Sequence, residues 1–246
     1  MRNIKVCIAY HGGAYHGFQR QNNAVSIQQT LEEALARILG ETVGIIGCSR
    51  TDTGVHAKEF YFNFLTGSPI PLGGLKAGMN ALLPEDIVIL TCEEAAADFH
   101  ARYHAKGKEY IYLVKNTPER DVFSQKLALH YPRELDERRL DGAAKLFIGE
   151  HDFSAFCKAE AKAHLKSTVR TVYDFSVERS GSDVLFTVSG SGFLHNMVRI
   201  MVGTLLYINE GKRTEADLLR SLKTGERADA GKTISPCGLY LNRVFY

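Results

Sequence analysis

The stretch Ser49-Arg50-Thr51-Asp52-Thr53-Gly54-Val55-His56 gathers residue types that do chemistry. Asp52 offers a carboxylate that can act as nucleophile or base. Arg50, two residues earlier, offers a cation of the kind that keeps a nearby acid ionised and oriented. Apolar runs at 42–48 and 59–66 flank the loop and read as strands, a rigid mount for a reactive group. Taken alone, Asp-Thr-Gly also makes an ordinary polar turn, with the Asp bonding backbone amides and the Gly at positive φ. The tripeptide occurs in aspartic proteases too, but those need apolar residues before the Asp, and an arginine beside it hinders two carboxylates from sharing a proton.

Three other motifs fail on context. Gly190-Ser191-Gly192-Phe193-Leu194-His195 puts a histidine where a dinucleotide fingerprint needs its third glycine. Gly225 to Thr233 resembles a phosphate loop with one residue too many, and Pro236 obstructs the helix that should follow. His100 and His104 are four apart, but no acid or thiol at a supporting spacing completes a metal site.

The elements that would position these groups follow from periodicity. Residues 4–10 (IKVCIAY) read as a strand ending at His11-Gly12-Gly13. Ile27, Leu31, Leu35 and Ile38/Leu39 form a helical stripe that Ser26 can cap and Gly40 can end. Residues 42–48 read as a strand, and 59–66, aromatic on both faces, as a central one. Residues 72–82 read as a short helix and 87–93 as a strand. The second half repeats the theme: a strand at EYIYLV, a helix over 134–148, a hairpin across Ser180-Gly181-Ser182, helices over 192–209 and 214–223, and a closing strand. Short turns between neighbouring strands predict antiparallel pairing, hence an α+β fold. Two similar halves, 1–105 and 106–246, would share a mainly antiparallel central sheet with a cleft between them.

Composition narrows the classes. In 246 residues, hydrophobic side chains make up 45% and charged ones 24%, which excludes disordered and low-complexity chains. Net charge is only +2, so any nucleic-acid surface must be local. Two segments qualify: Arg102, Lys106, Lys108 and Lys115, and the four-spaced set Lys158, Lys162, Lys166 and Arg170, which would line one face if helical. Five scattered cysteines without C-x-x-C fit a reducing cytoplasm, and the N-terminus does not read as a signal peptide.

The ordered series of motifs resembles the tRNA pseudouridine synthase A (TruA) family. It comprises Gly17-Phe18-Gln19-Arg20-Gln21, the Arg50–His56 loop, Asp98-Phe99-His100-Ala101-Arg102, Tyr110-x-Tyr112, Asp152-Phe153-Ser154-x-Phe156, Phe193 to Arg199, and Gly238-Leu239-Tyr240-Leu241. Departures are Ser49 for the family's usual Gly, Thr53 for Ala, and Glu59-Phe60 for Gly-Gln. The resemblance implies the pseudouridine synthase fold and isomerisation of uridine to pseudouridine without cofactor or metal. It implies a tRNA substrate, modified at positions 38, 39 and 40 of the anticodon stem-loop, and a homodimer. Asp52 would be the catalytic carboxylate and Arg199 its paired cation. Arg50 would help extrude the uridine, and Tyr110 would pack on the target base near C5. Arg20, Gln21, Arg102, Lys158, Lys162 and Lys166 are candidate substrate contacts. The alternatives are a non-catalytic tRNA-binding protein of the same fold and a paralogue that modifies another tRNA uridine.

Overall fold

The computed structural model describes residues 1–158 and 165–246, which form two compact units: Met1–Lys106 with Tyr240–Tyr246, and Gly107–Leu239. Each is built as α+β, with strand pairing that is mainly antiparallel.

In the first unit, β3 (His56–Thr66) is the organising strand. It pairs antiparallel with β1 (Arg2–Tyr10), which in turn pairs antiparallel with β4 (Ile87–Ala95). On its other side lie the short β2 (Ile46–Gly47), antiparallel, and the last strand of the chain, β10 (Leu239–Phe245), parallel. Phe60, Phe62 and Phe64 alternate along β3 and are fully buried. Removing each from water stabilises the fold by about 1.5–3 kcal/mol. Tyr61 and Asn63 face the other way, so the expectation of an interior strand with aromatics on both faces holds. Helix α1 (Ile27–Leu39) has Ser26 as its N-cap, accepting from the Gln29 amide, and Gly40 in the left-handed conformation at its end. Helix α2 (Leu72–Leu82) follows, with Leu75 and Met79 buried.

The strand expected at 42–48 shortens to Ile46–Gly47. The cause lies on α1: the Ile45 amide donates to Glu32 Oε1 at 3.2 Å, and Gln28 Nε2 donates to the Ile45 carbonyl at 3.4 Å. Side chains of α1 thus take the backbone groups that a longer strand would offer to a neighbour.

In the second unit, β5 (Gly107–Lys115), β9 (Asp183–Gly190), β8 (Val169–Ser180) and β7 (Gly149–Asp152) run antiparallel in that order, and the two-residue β6 (Leu129–His130) pairs parallel with β5. Among the described residues, three helices follow the expected stripes, the first shortened at both ends, the second at its start and the third shifted by one residue. They are α3 (Glu137–Lys145), α4 (Met197–Asn209) and α5 (Glu215–Thr224). α4 starts at Met197 rather than 192 because Asn196 takes a positive φ of 64° and breaks the helical path.

The two rejected glycine motifs have packing roles. Gly225 caps α5 at φ 73°. A Cβ on Gly231 would lie 2.4 Å from the Gly203 carbonyl oxygen, so loop and helix α4 meet backbone to backbone. Gly190 is a β9 residue where a Cβ would lie 2.7 Å from the Thr171 carbonyl oxygen. No described helix is long and apolar enough to cross a membrane.

Candidate active site

Asp52 sits half-buried at the start of a tight turn, closed by the Val55 amide donating to the Asp52 carbonyl at 3.1 Å and by Gly54 at φ 78°. The turn is clamped by a segment some forty residues upstream. The Phe18 amide donates to the Thr51 carbonyl (3.3 Å), and the Gly54 amide donates to the Tyr15 carbonyl (3.2 Å). The Tyr10 hydroxyl and Thr51 Oγ1 share a buried hydrogen bond of 2.9 Å. Two glycines let the segment approach this closely. A Cβ on Gly12 would lie 1.9 Å from the Val55 carbonyl oxygen, and one on Gly17, where φ is 84°, would lie 2.4 Å from the Thr51 carbonyl oxygen.

His56 completes the clamp. It is 1% exposed, and its Nδ1 accepts the Gly12 amide at 3.1 Å. Its ring lies 4.5 Å from His11 and 4.6 Å from Tyr240, centroid to centroid. A ring nitrogen that accepts from an amide must be unprotonated, so His56 acts here as a neutral anchor. Tyr15, which receives the Gly54 amide, donates its hydroxyl to Asp86 Oδ1 at 2.6 Å. Burial first, and then that bond, push its phenol well above the ordinary range.

Arg50 does not play the expected part beside Asp52. It is exposed and makes no hydrogen bond or ion pair among the described residues. The cation sits before the turn, toward β2, and the Asp52 loop is fixed by the upstream clamp instead. Arg50 faces a pocket of about 250 Å³, whose walls include Phe18, Gln28, Ile45, His100, Arg102 and Tyr103. The segment that carries His100 and Arg102 is anchored from beneath. Asn63 Nδ2 donates to Asn3 Oδ1 (3.0 Å), Asn63 Oδ1 accepts the Ala101 amide (2.9 Å), and Asn3 Nδ2 donates to the Phe99 carbonyl (2.9 Å). The Tyr246 hydroxyl donates to the Ala101 carbonyl at 2.7 Å. His100 Nδ1 accepts the amides of both Arg102 and Tyr103 at 3.2 Å, so the ring works as a turn cap.

Arg20 and Gln21 have local partners. Arg20 Nε donates to Glu32 Oε2 at 2.8 Å, and Gln21 Nε2 to the His16 carbonyl at 2.7 Å.

The remaining candidates belong to the second unit. Tyr110 is a buried residue of β5 whose ring meets Phe193 edge-on at 5.1 Å. Arg199, on the otherwise apolar α4, donates from Nη1 to Asn196 Oδ1 (2.6 Å) and from Nε to the Ile234 carbonyl (2.8 Å). The close contact of Gly231 with Gly203 and the bond from the Gly231 amide to Thr204 Oγ1 (2.8 Å) hold the strand of chain that carries Ile234 along α4. That packing fixes the guanidinium.

The described members of the expected cation stripe are not helical. Lys166 lies in a bend and Arg170 in β8, while Lys158 follows a short 3-10 turn, its amide on the His195 carbonyl at 3.3 Å. Lys162 lies outside the described residues. A helix cannot extend to 170, because Val169 and Arg170 pair with β7. Lys115 is also committed, to Asp183 at 2.5 Å.

Sequence reasoning missed the clamp. Its signal was the run His11-Gly12-Gly13-Ala14-Tyr15-His16-Gly17, dense in glycine and aromatics directly after a strand, which reads more simply as a strand terminator. It also missed Asn3 and Asn63, whose signal is a polar residue inside an apolar strand.

Comparison with known proteins decides the family. A family model described as tRNA pseudouridine synthase matches residues 6–104 and 143–246. The chain belongs to the tRNA pseudouridine synthase family. It is an isomerase that converts uridine to pseudouridine. Among relatives of this synthase, tRNA pseudouridine synthase A 2 of Clostridium perfringens is 44% identical over 246 residues, all of both chains. tRNA pseudouridine synthase A of Acetivibrio thermocellus is also 44% identical over the whole of both. Among solved structures, one from a Cbf5-Nop10-Gar1 complex is 15% identical with a TM-score of 0.40, covering 96% of this chain and 57% of that one.

Proposed function

We propose that this synthase acts on tRNA, at positions 38, 39 and 40 of the anticodon stem-loop, with Asp52 as its catalytic carboxylate. The observation that carries the role of Asp52 is the clamp: a half-buried carboxylate on a turn held by four hydrogen bonds, two of them possible only because Gly12 and Gly17 lack a Cβ. A group that must meet a reacting atom needs such rigid mounting. The choice of tRNA rests on the full-length likeness to relatives named tRNA pseudouridine synthase A.

In this reading the uridine first leaves its stack, at a cost of a few kcal/mol. The C1′–N1 bond breaks, the ring turns, C5 bonds to the sugar, the C5 proton leaves to solvent, and N1 takes up a proton from solvent. Asp52 acts at the sugar–base junction as nucleophile or base. Arg199 pairs with the carboxylate and holds it ionised. Arg50 helps extrude the nucleotide, and Tyr110 packs on the base near C5. Arg102 and the lysines Lys158, Lys162 and Lys166 track phosphates, and the enzyme works as a cytoplasmic homodimer without metal or cofactor.

The test is release of tritium from uridine C5 of an unmodified tRNA transcript, followed by mapping of the product. Release mapped to positions 38–40 supports the full reading. Release from another position refutes the anticodon assignment. Tight binding without release, across a range of tRNAs, refutes catalysis and leaves a binding protein.

A further inference from the structure

We infer that the pocket beside Arg50 takes a second nucleotide of the tRNA, one that is not isomerised. This rests on the tRNA reading and the Asp52 assignment above.

The pocket has the chemistry of a nucleotide site. Phe18 and Ile45 give it a buried apolar floor. The Phe18 ring lies 4.2 Å from that of Phe60, nearly parallel to it, and Gly47 leaves room for it: a Cβ there would meet Phe18 at 2.4 Å. The rim carries Arg50 and Arg102 with Tyr103, and no carboxylate lines the pocket. Neither guanidinium has a hydrogen-bond or ion-pair partner among the described residues, unlike nearby Arg20, which Glu32 neutralises. Two unpartnered cations on one rim repel each other, and a phosphate relieves both.

Tyr103 supplies the stacking element. Its side chain is 76% exposed, yet its backbone is fixed by the His100 cap and its ring lies 4.2 Å from the imidazole. An exposed aromatic held next to cations is the recurring platform for single-stranded bases. Size sets the occupant. At about 250 Å³ the pocket falls below the ~300–1,000 Å³ of drug-sized ligand sites, a size that suits a single base. Asp52 is not among its lining residues, so this is not where the reacting uridine sits. The base would lie on the Phe18 floor against Tyr103, with its phosphate between Arg50 and Arg102.

Two measurements on the full-length protein test this. First, tRNA transcripts carrying a single 4-thiouridine at successive anticodon-arm positions are irradiated with the enzyme, and the cross-linked peptide is mapped. A nucleotide other than the modified uridine should cross-link to the peptide containing Tyr103. Absence of that cross-link at every position, or its appearance from the modified uridine alone, overturns the proposal. Second, Tyr103→Ala should raise the Kd for tRNA about 5- to 150-fold, the range of one base–aromatic stack, whereas Tyr103→Phe should bind within about twofold of wild type. An unchanged Kd for Tyr103→Ala, or equal losses in both variants, overturns it. Neither readout needs turnover. Turnover without the cross-link would refute the inference and keep the proposed reaction, whereas tRNA that is neither bound nor modified would refute the tRNA reading itself.

Discussion

Gly17→Ala separates loop positioning from overall stability. Gly17 adopts φ 84°, and an added Cβ would sit 2.4 Å from the Thr51 carbonyl oxygen, against about 3.4 Å for ordinary contact. The 51–52 backbone must therefore shift by about 1 Å. A displacement of that size at a reacting group costs on the order of 100-fold in rate. Gly40→Ala is the matched control: φ is 70°, but a Cβ there meets nothing within 4 Å. Both variants pay about 1–2 kcal/mol for a side chain at positive φ. In a chain of this length that lowers Tm by about 2–8 °C. Initial rates of tritium release at saturating tRNA, beside thermal unfolding followed by circular dichroism, give both quantities. Gly17→Ala should lose about 100-fold in kcat while Gly40→Ala keeps wild-type kcat. A Gly17→Ala enzyme with full kcat would refute the idea that the upstream clamp positions Asp52.

Three further predictions concern other parts of the fold. Asn63→Ala orphans buried Asn3 Oδ1 and the Ala101 amide, and should cost about 2–4 kcal/mol in urea unfolding. Burial lifts the Cys7 thiol to about 11, and burial together with the bond to Glu210 lifts the Tyr131 phenol to about 12. Because both folded-state values lie above the unfolded ones, their contribution is whole below about pH 9 and is lost as pH rises through 11 to 12, so the urea midpoint should fall steadily from pH 9 to 11. Replacing Lys158, Lys162 and Lys166 together by Ala should weaken tRNA binding and flatten the slope of log K against log salt by about 2–3, measured by filter binding.

Much of the fold is legible in the sequence because its signals are local. Ser26 and Gly40 bracket α1 by caps that need only their neighbours, and the Phe60-Phe62-Phe64 alternation announces an interior strand. Errors arise where a distant partner decides. Residues 42–45 have strand-like composition, but Gln28 and Glu32 of α1 take the Ile45 backbone. The four-residue spacing of Lys158, Lys162, Lys166 and Arg170 suggests a helical face, yet β7 claims Arg170 for a sheet. In the site, the motif around Asp52 is visible in sequence while its clamp is not. Hydrogen bonds such as Gly12 to His56 span 44 residues, and nothing in the local pattern tells a glycine that ends a strand from one that admits a carbonyl oxygen.

Asp52→Asn decides whether Asp52 is the catalytic carboxylate. The substitution keeps the side chain's shape and removes its charge. Measured together, single-turnover tritium release and tRNA affinity should part company. The rate should fall by about 100- to 10,000-fold with a tRNA Kd close to wild type, the pattern of a group that acts only in the transition state. An Asp52→Asn enzyme that still isomerises uridine at the wild-type rate would contradict that role.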